Sequence, residues 1–146
     1  MEIREIQKAD LADLLELYAD LHDEIPASVE QASAAWDEIH QNTRIRYFGA
    51  FKEGTLAASC TITLIPNLTR GCSPYGLIEN VVTRNERRRE GYGKAVLEHA
   101  LEFAWQEKCY KVMLMTGRQN EETYKFYESA GFDRHSKTAF IAKPED

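Results

Sequence analysis

Between Leu77 and Leu101 the chain reads LIENVVTRNERRREGYGKAVLEHAL: an apolar run, a basic glycine turn, then an amphipathic helical run. A strand that enters a helix through Arg88-Arg89-Glu90-Gly91-Tyr92-Gly93-Lys94 gathers unpaired backbone N–H groups, the positive end of the helix dipole and several cationic side chains in one place. That combination binds phosphate. The glycine spacing narrows the kind of phosphate site. A dinucleotide fingerprint GxGxxG needs glycine at position 96, which is Val96, and a P-loop needs glycine at 88 and Ser or Thr at 95, where the chain has Arg88 and Ala95. What stands is R-x-x-G-x-G, from Arg88 to Gly93.

This hexapeptide, following a strand that holds Val81-Val82, resembles the acyl-CoA-binding motif Q/R-x-x-G-x-G/A of the GNAT superfamily of N-acetyltransferases. Downstream, Asn120-Glu-Glu-Thr-Tyr-Lys-Phe126-Tyr127-Glu-Ser-Ala-Gly131-Phe132 is similar to the family's second signature, an Asn followed by a helix ending F-Y-x-x-x-G-F. The resemblance implies a GNAT-type acyl-CoA N-acyltransferase fold, acetyl-CoA as the cofactor, and transfer to a primary amine of a small molecule or peptide by direct attack in a ternary complex. Backbone N–H groups from Arg89 through Glu90, Gly91, Tyr92 and Gly93 to Lys94 would wrap the pyrophosphate, the glycines allowing close approach. Arg88, Arg89 and Lys94 add charge. Backbone at positions matching Val81 and Thr83 would pair with the pantetheine arm, and the N–H of Val81 or Val82 would polarise the thioester carbonyl. Asn120 fits a hydrogen bond to the cofactor amides, a helix cap, or both.

Acyl transfer to an amine needs the neutral amine, and an alkylamine with a pKa near about 10 is protonated at pH 7. A base is therefore useful. Glu79 lies mid-strand just upstream of Val81, where partial burial would raise its pKa toward a useful value; the same position also suits a solvated strand carboxylate. The leaving thiolate needs a proton donor. Tyr127 matches the family's general-acid tyrosine, although an aromatic at helical spacing also suits a core, and Tyr124 stands one turn earlier. Where many members have Ala three residues after the Asn, this chain has Thr123.

These residues need elements to hold them. Ile3 and Ile6 flank a first strand, and Asp10 is placed to cap a helix carrying Leu11, Leu14, Leu15, Tyr18 and Leu21. Ser28 with Gln31 forms a capping-box pattern for a second helix through about Gln41. The period then changes to two: strands at Tyr47–Phe51 and Leu56–Ile65 around Lys52-Glu53-Gly54 predict a hairpin. After a Pro- and Gly-bearing loop come a strand at Tyr75–Thr83, the basic turn, a helix over Gly91–Glu107, a strand at Lys111–Thr116 and a helix over Glu121–Ala130. Gly131 is placed to end that helix in a left-handed conformation, and Lys137–Ala142 reads as a final strand. The order β-α-α-β-β-β-α-β-α-β is a mixed α/β sheet with helices on its faces, in one domain spanning 1–146.

The net charge of −6 argues against a general nucleic-acid partner, despite the arginine cluster. No apolar run reaches the roughly 20 residues of a membrane span. Three widely spaced cysteines without a CxxC pair suit reduced thiols in a cytoplasmic protein. Four scattered histidines give no metal-ligand spacing. Tyr75-Gly-Leu-Ile-Glu79-Asn80 and Cys109–Leu114 are similar to the corresponding stretches of glucosamine-6-phosphate N-acetyltransferases, which carry an acidic residue where this chain has Asn80. The acceptor is expected to enter near Tyr47, His22 to Glu24 and Phe140. A non-catalytic acetyl-CoA-binding module would share the turn without needing Glu79 or Tyr127. Several members of the superfamily dimerise, often through late strands, so a homodimer is compatible with the chain.

Overall fold

The structure is a computed structural model and describes residues 1–21 and 26–145. Its core is a five-stranded sheet in the order β1 (Glu2–Glu5), β2 (Ile45–Lys52), β3 (Thr55–Ile65), β4 (Tyr75–Thr83), β5 (Val112–Leu114). The first three pairings are antiparallel and β4–β5 is parallel. The β2–β3 hairpin closes on Glu53 (φ 50°) and Gly54 (φ 81°), the positive pair that a two-residue turn needs to match strand twist. β3 ends at Ile65, before Pro66.

Helices α1 (Leu11–Tyr18) and α2 (Val29–Gln41) cover one face of the sheet; α3 (Tyr92–Gln106) and α4 (Glu121–Ser129) lie with the other core. Alternation sorts the side chains. Phe48, Ala58, Cys60, Ile62 and Ile78 pack with Val96, Leu97 and Ala100 of α3, whereas Phe51, Leu56 and Val82 pack with Leu11, Leu14, Leu17 and Trp36. The buried stripe of α3, Tyr92, Val96, Leu97, Ala100 and Ala104, has the three- and four-residue spacing of a helix face.

Local signals in the sequence act largely as expected. Ser28 Oγ accepts from the Gln31 N–H at 3.1 Å and Gln31 Oε1 accepts from the Ser28 N–H at 3.0 Å, a reciprocal capping box. Gly131 (φ 102°) ends α4 in a Schellman motif: its N–H donates to the Glu128 carbonyl and the Phe132 N–H donates to the Tyr127 carbonyl. Asp10 differs. Its carboxylate accepts from the Gln7 N–H at 2.7 Å and from Arg4 at 2.7 and 3.0 Å, closing a single 3-10 turn ahead of α1 instead of capping the helix, and the Arg4 guanidinium holds its pKa below the usual value.

The expected final strand is not formed. Residues 137–142 carry no strand, and Phe140 and Ile141 are 91% and 65% exposed. A strand needs a paired edge, and among the described residues this segment meets none. Among the described residues no helix is long and apolar enough to cross a membrane.

Arg84 fastens the end of β4 to α1. It is 8% exposed; its Nε donates to the Leu56 carbonyl at 2.6 Å, and its guanidinium pairs with Asp13 and with Glu16 at 3.3 Å. Asp13 in turn accepts from the Leu56 N–H at 2.8 Å. Removing one partner of such a buried network typically costs about 3–5 kcal/mol. Because Asp13 keeps some solvent access, Arg84→Ala is expected to lower unfolding stability by about 2–4 kcal/mol in a urea titration. A loss below about 0.5 kcal/mol, the range of an ordinary surface change, would remove this anchoring role.

Candidate active site

The ladder between β4 and β5 holds only from Gly76–Val112 to Ile78–Leu114. Beyond Ile78, among the described residues, no backbone hydrogen bond joins the two segments, so β4 from Glu79 to Thr83 presents one edge of unpaired N–H and C=O groups. Such groups seek partners. A cleft of about 890 Å³ runs along this gap.

Opposite Glu79 stands Thr61, and opposite Val82 stands Ser59, so Asn80 and Val81 together face the single residue Cys60. This is a β-bulge, with Asn80 at φ 54°. Asn tolerates the left-handed region better than most residues, which gives a local reason for Asn80 after the glutamate. The bulge resets the alternation. Ile78, Val81 and Thr83 turn toward α3 and α4, while Glu79 and Val82 turn toward α1.

The glycine turn closes one end of the cleft. Gly91, at φ 89°, is the N-cap of α3, in open space; its role is conformational, and it lets the chain turn into the helix with its first N–H groups facing the gap. Gly93 has a different reason from the one its spacing suggests. A Cβ there would lie 2.6 Å from Thr83 Oγ1 and 3.0 Å from Phe126 Cζ, so the missing side chain lets α3 pack against β4 and α4.

Of the expected cofactor residues, Val81, Val82, Thr83, Arg88, Arg89, Gly91, Tyr92, Gly93, Lys94 and Asn120 line this cleft. The side chains of Val82 and Tyr92 are core residues, leaving their backbone to face it. Glu90 is not among the lining residues. Its carboxylate turns to Lys52 at 3.5 Å and Arg87 at 3.9 Å. Arg89 pairs with Glu122 and Lys94 with Glu98, all exposed, whereas Arg88 has no ion-pair partner among the described residues. Asn120 caps α4, its Oδ1 accepting from the Thr123 N–H at 2.9 Å.

Glu79 and Tyr127 line the same cleft. Glu79 is exposed, so the expected partial burial is absent; its position in the row beside the bulge directs it outward. Tyr127 is half-buried, against Phe126 and Phe132 at ring-centroid distances of 5.1 and 6.3 Å. Burial raises its pKa, partly opposed by the Arg118 cation. Nearby, Cys60 is pushed up to about 12 by burial, which leaves it a neutral thiol. Sequence reasoning missed the wall opposite β4, formed by Met115, Thr116, Gly117 and Arg118, together with Asp20 and Leu21 at the end of α1. No spacing marks those residues; they follow from where β5 stops. His22 to Glu24, expected near the acceptor entrance, lie outside the described residues.

Residues 11–132 match the Acetyltransferase (GNAT) family, and the chain belongs to it. It is therefore an acetyl-CoA-dependent N-acetyltransferase. The chain is 32% identical to a glucosamine 6-phosphate N-acetyltransferase of Trypanosoma brucei brucei, over 94% of this chain and 92% of that protein. Its structure is similar to that of a putative acetyltransferase from Agrobacterium tumefaciens (TM-score 0.94, 39% identity, 99% of this chain and 100% of that one). It is also similar to the glucosamine-6-phosphate N-acetyltransferase of Arabidopsis thaliana (TM-score 0.88, 26% identity, 99% and 98%). The cleft fits the cofactor on its own terms: an unpaired strand edge for amide groups, then a helix start and a guanidinium for phosphate.

The two glycines carry different costs. Gly91→Asp meets no clash but is strained at its positive φ, costing about 1–2 kcal/mol of stability, and it sets a carboxylate among the N–H groups expected to hold phosphate, so calorimetry on the folded variant should find acetyl-CoA affinity lowered by about 100-fold or more. Gly93→Ala should instead cost about 1–3 kcal/mol of stability through overpacking. Unchanged acetyl-CoA affinity in Gly91→Asp would exclude the turn from the cofactor site.

Proposed function

We propose that the protein transfers the acetyl group of acetyl-CoA to a primary amine of a small molecule or peptide, by direct attack within a ternary complex. The observation that carries this reading is the common cleft, on which Glu79, the unpaired edge of β4, the glycine turn and Tyr127 all open. When bound, acetyl-CoA supplies an activated thioester carbonyl. The N–H groups at the start of α3, with Arg88, hold its phosphates, and the β4 edge at Val81 and Thr83 pairs with its amides. Glu79, an open carboxylate at the bulge, takes the proton that the acceptor amine must lose. The Val81 N–H, re-aimed by the bulge, is available to the acyl oxygen. Tyr127 holds a proton for the departing sulfur, and its raised pKa keeps that proton in place at neutral and mildly alkaline pH.

An amino-sugar acceptor is the second reading, favoured by the two relatives named glucosamine 6-phosphate N-acetyltransferases. Against a binding module without turnover stands the meeting of Glu79 and Tyr127 on one cleft. The acidic balance, and the pairing of Arg89 and Lys94 with glutamates, support no nucleic-acid partner. Three free cysteines suit a cytoplasmic enzyme acting as a single domain.

A screen of amines including amino acids, polyamines, aminoglycosides, glucosamine 6-phosphate and peptides should yield thiol release with at least one acceptor. With that acceptor, Glu79→Gln and Tyr127→Phe are each expected to lower kcat by about 10²-fold or more with little change in KM for acetyl-CoA. The Tyr127→Phe loss should stay level between pH 7 and 9, because a phenol with a raised pKa contributes no titration there. Acetyl-CoA binding with no turnover for any amine would favour the binding module.

A homodimer also belongs to this reading. Phe140 and Ile141 stand exposed on a segment of strand-forming sequence, and the outer edge of β5 is open. A second copy can satisfy both by adding the segment as a strand. Sedimentation should report a dimer for the wild type and a monomer for Phe140→Asp; a wild-type monomer at micromolar concentration would reject it.

A further inference from the structure

Behind Glu79 two hydroxyls stand without partners among the described residues. Thr61 of β3 is 6% exposed and its Oγ1 makes no hydrogen bond; the hydroxyl of Tyr18, in the last turn of α1, is likewise buried and bare. Two residues earlier on the same strand the ordinary arrangement holds, where fully buried Ser59 donates to the Phe48 carbonyl at 2.9 Å. A buried polar group left unsatisfied costs about 1–3 kcal/mol, so two together need a reason.

Their position supplies it. Thr61 is the cross-strand partner of Tyr47 on β2 and of Glu79 on β4, so Tyr47, Thr61 and Glu79 form one row on the α1–α2 face. Directly opposed residues have Cβ atoms about 4.5–5.5 Å apart, within the reach of a threonine hydroxyl toward a glutamate carboxylate. Tyr18 lies over this row. Thr61 opposes the upward push of burial on the Tyr18 phenol, so the two oxygens are near each other although they lack the geometry of a formed bond.

We propose that Thr61 is a positioning residue for Glu79: the Tyr18 O–H donates to Thr61 Oγ1, and the Thr61 O–H donates to the Glu79 carboxylate, holding it toward the acceptor amine. The proposal rests on the reading of Glu79 as the base. Each hydroxyl carries one donor and can accept, so the chain satisfies both bare oxygens by side-chain rotation alone. An exposed glutamate otherwise keeps its rotamer freedom, and a base must sit within hydrogen-bond reach of the proton it takes. Among the described residues, the charged or titratable neighbours of this row include Tyr47 and Tyr18 on the sheet side and Asp20, Arg118 and Tyr127 along the cleft.

Thr61→Val keeps the shape and removes the hydroxyl; Tyr18→Phe does the same at the other end. The full chain, labelled with 13C at glutamate carboxyls, is observed by NMR at neutral pH with the Glu79 signal assigned through Glu79→Gln, and turnover is measured with glucosamine 6-phosphate as the probe acceptor. In Thr61→Val the Glu79 carboxyl signal is expected to move, and in Thr61→Ser, which keeps a hydroxyl, to return to its wild-type position. Where the probe turns over, kcat should fall about 10- to 100-fold with KM for acetyl-CoA unchanged. Tyr18→Phe should give smaller changes of the same sign. An unmoved Glu79 carboxyl signal in Thr61→Val overturns the proposal. Full turnover in Glu79→Gln would instead overturn Glu79 as base, and the carboxyl signal is readable whether or not the probe is accepted.

Discussion

Everything at the site depends on a parallel ladder that stops after three residue pairs. From Gly76 to Ile78 the sheet is continuous across β4 and β5; from Glu79 onward it is not. An unpaired strand edge inside a protein is ordinarily a liability. Here the edge opens on a cleft, and a ligand with amide groups can take the place of the missing strand. The family's cofactor arm is such a ligand.

Two local devices keep the edge usable. The bulge at Asn80 inserts one residue against Cys60, so Glu79 and Val81 can serve opposite faces although they are neighbours in a strand pattern. Without it, simple alternation would put residues 79 and 81 on the same face. At the far end, Arg84 ties the strand to Asp13 and Glu16 of α1. The strand that must stay unpaired on one side is therefore firmly held on the other, by β3 along its length and by α1 at its tip.

Much of this was legible in the sequence because it is local. The Ser28 and Asn120 caps, the hairpin glycine, the Schellman glycine and the two motifs each depend on a few adjacent residues, and each strand and helix up to α4 forms near where its periodicity predicts, although the strand expected over Lys111–Thr116 stops at Leu114 and leaves Met115 and Thr116 to the cleft. What was not legible depends on distant contacts. Gly93 is excluded from carrying a side chain by Thr83 and Phe126, a fact of packing between three elements. Arg84 reads as one more cation of the basic turn, yet it is buried and paired. The segment 137–142 has the composition of a strand, but a strand is a property of a pair. Glu79 was expected to be partly buried because strand centres usually are, and the splay beside it reverses that.

The charge distribution follows the same division between global and local. A chain of net charge −6 binds a polyanion only if its cations are concentrated and their existing partners are weak. Arg89–Glu122 and Lys94–Glu98 are exposed pairs, each worth about 0–1 kcal/mol, so a phosphate can displace either glutamate at little cost. Arg88 needs no such exchange. The Arg84–Asp13 pair is the opposite case, because its burial makes it expensive to break and so unfit for binding. Four residues apart in one basic run, Arg84 and Arg88 thus do different work. What separates them is burial, which the run of arginines does not encode, and it decides which cation stabilises the strand and which is left for the ligand.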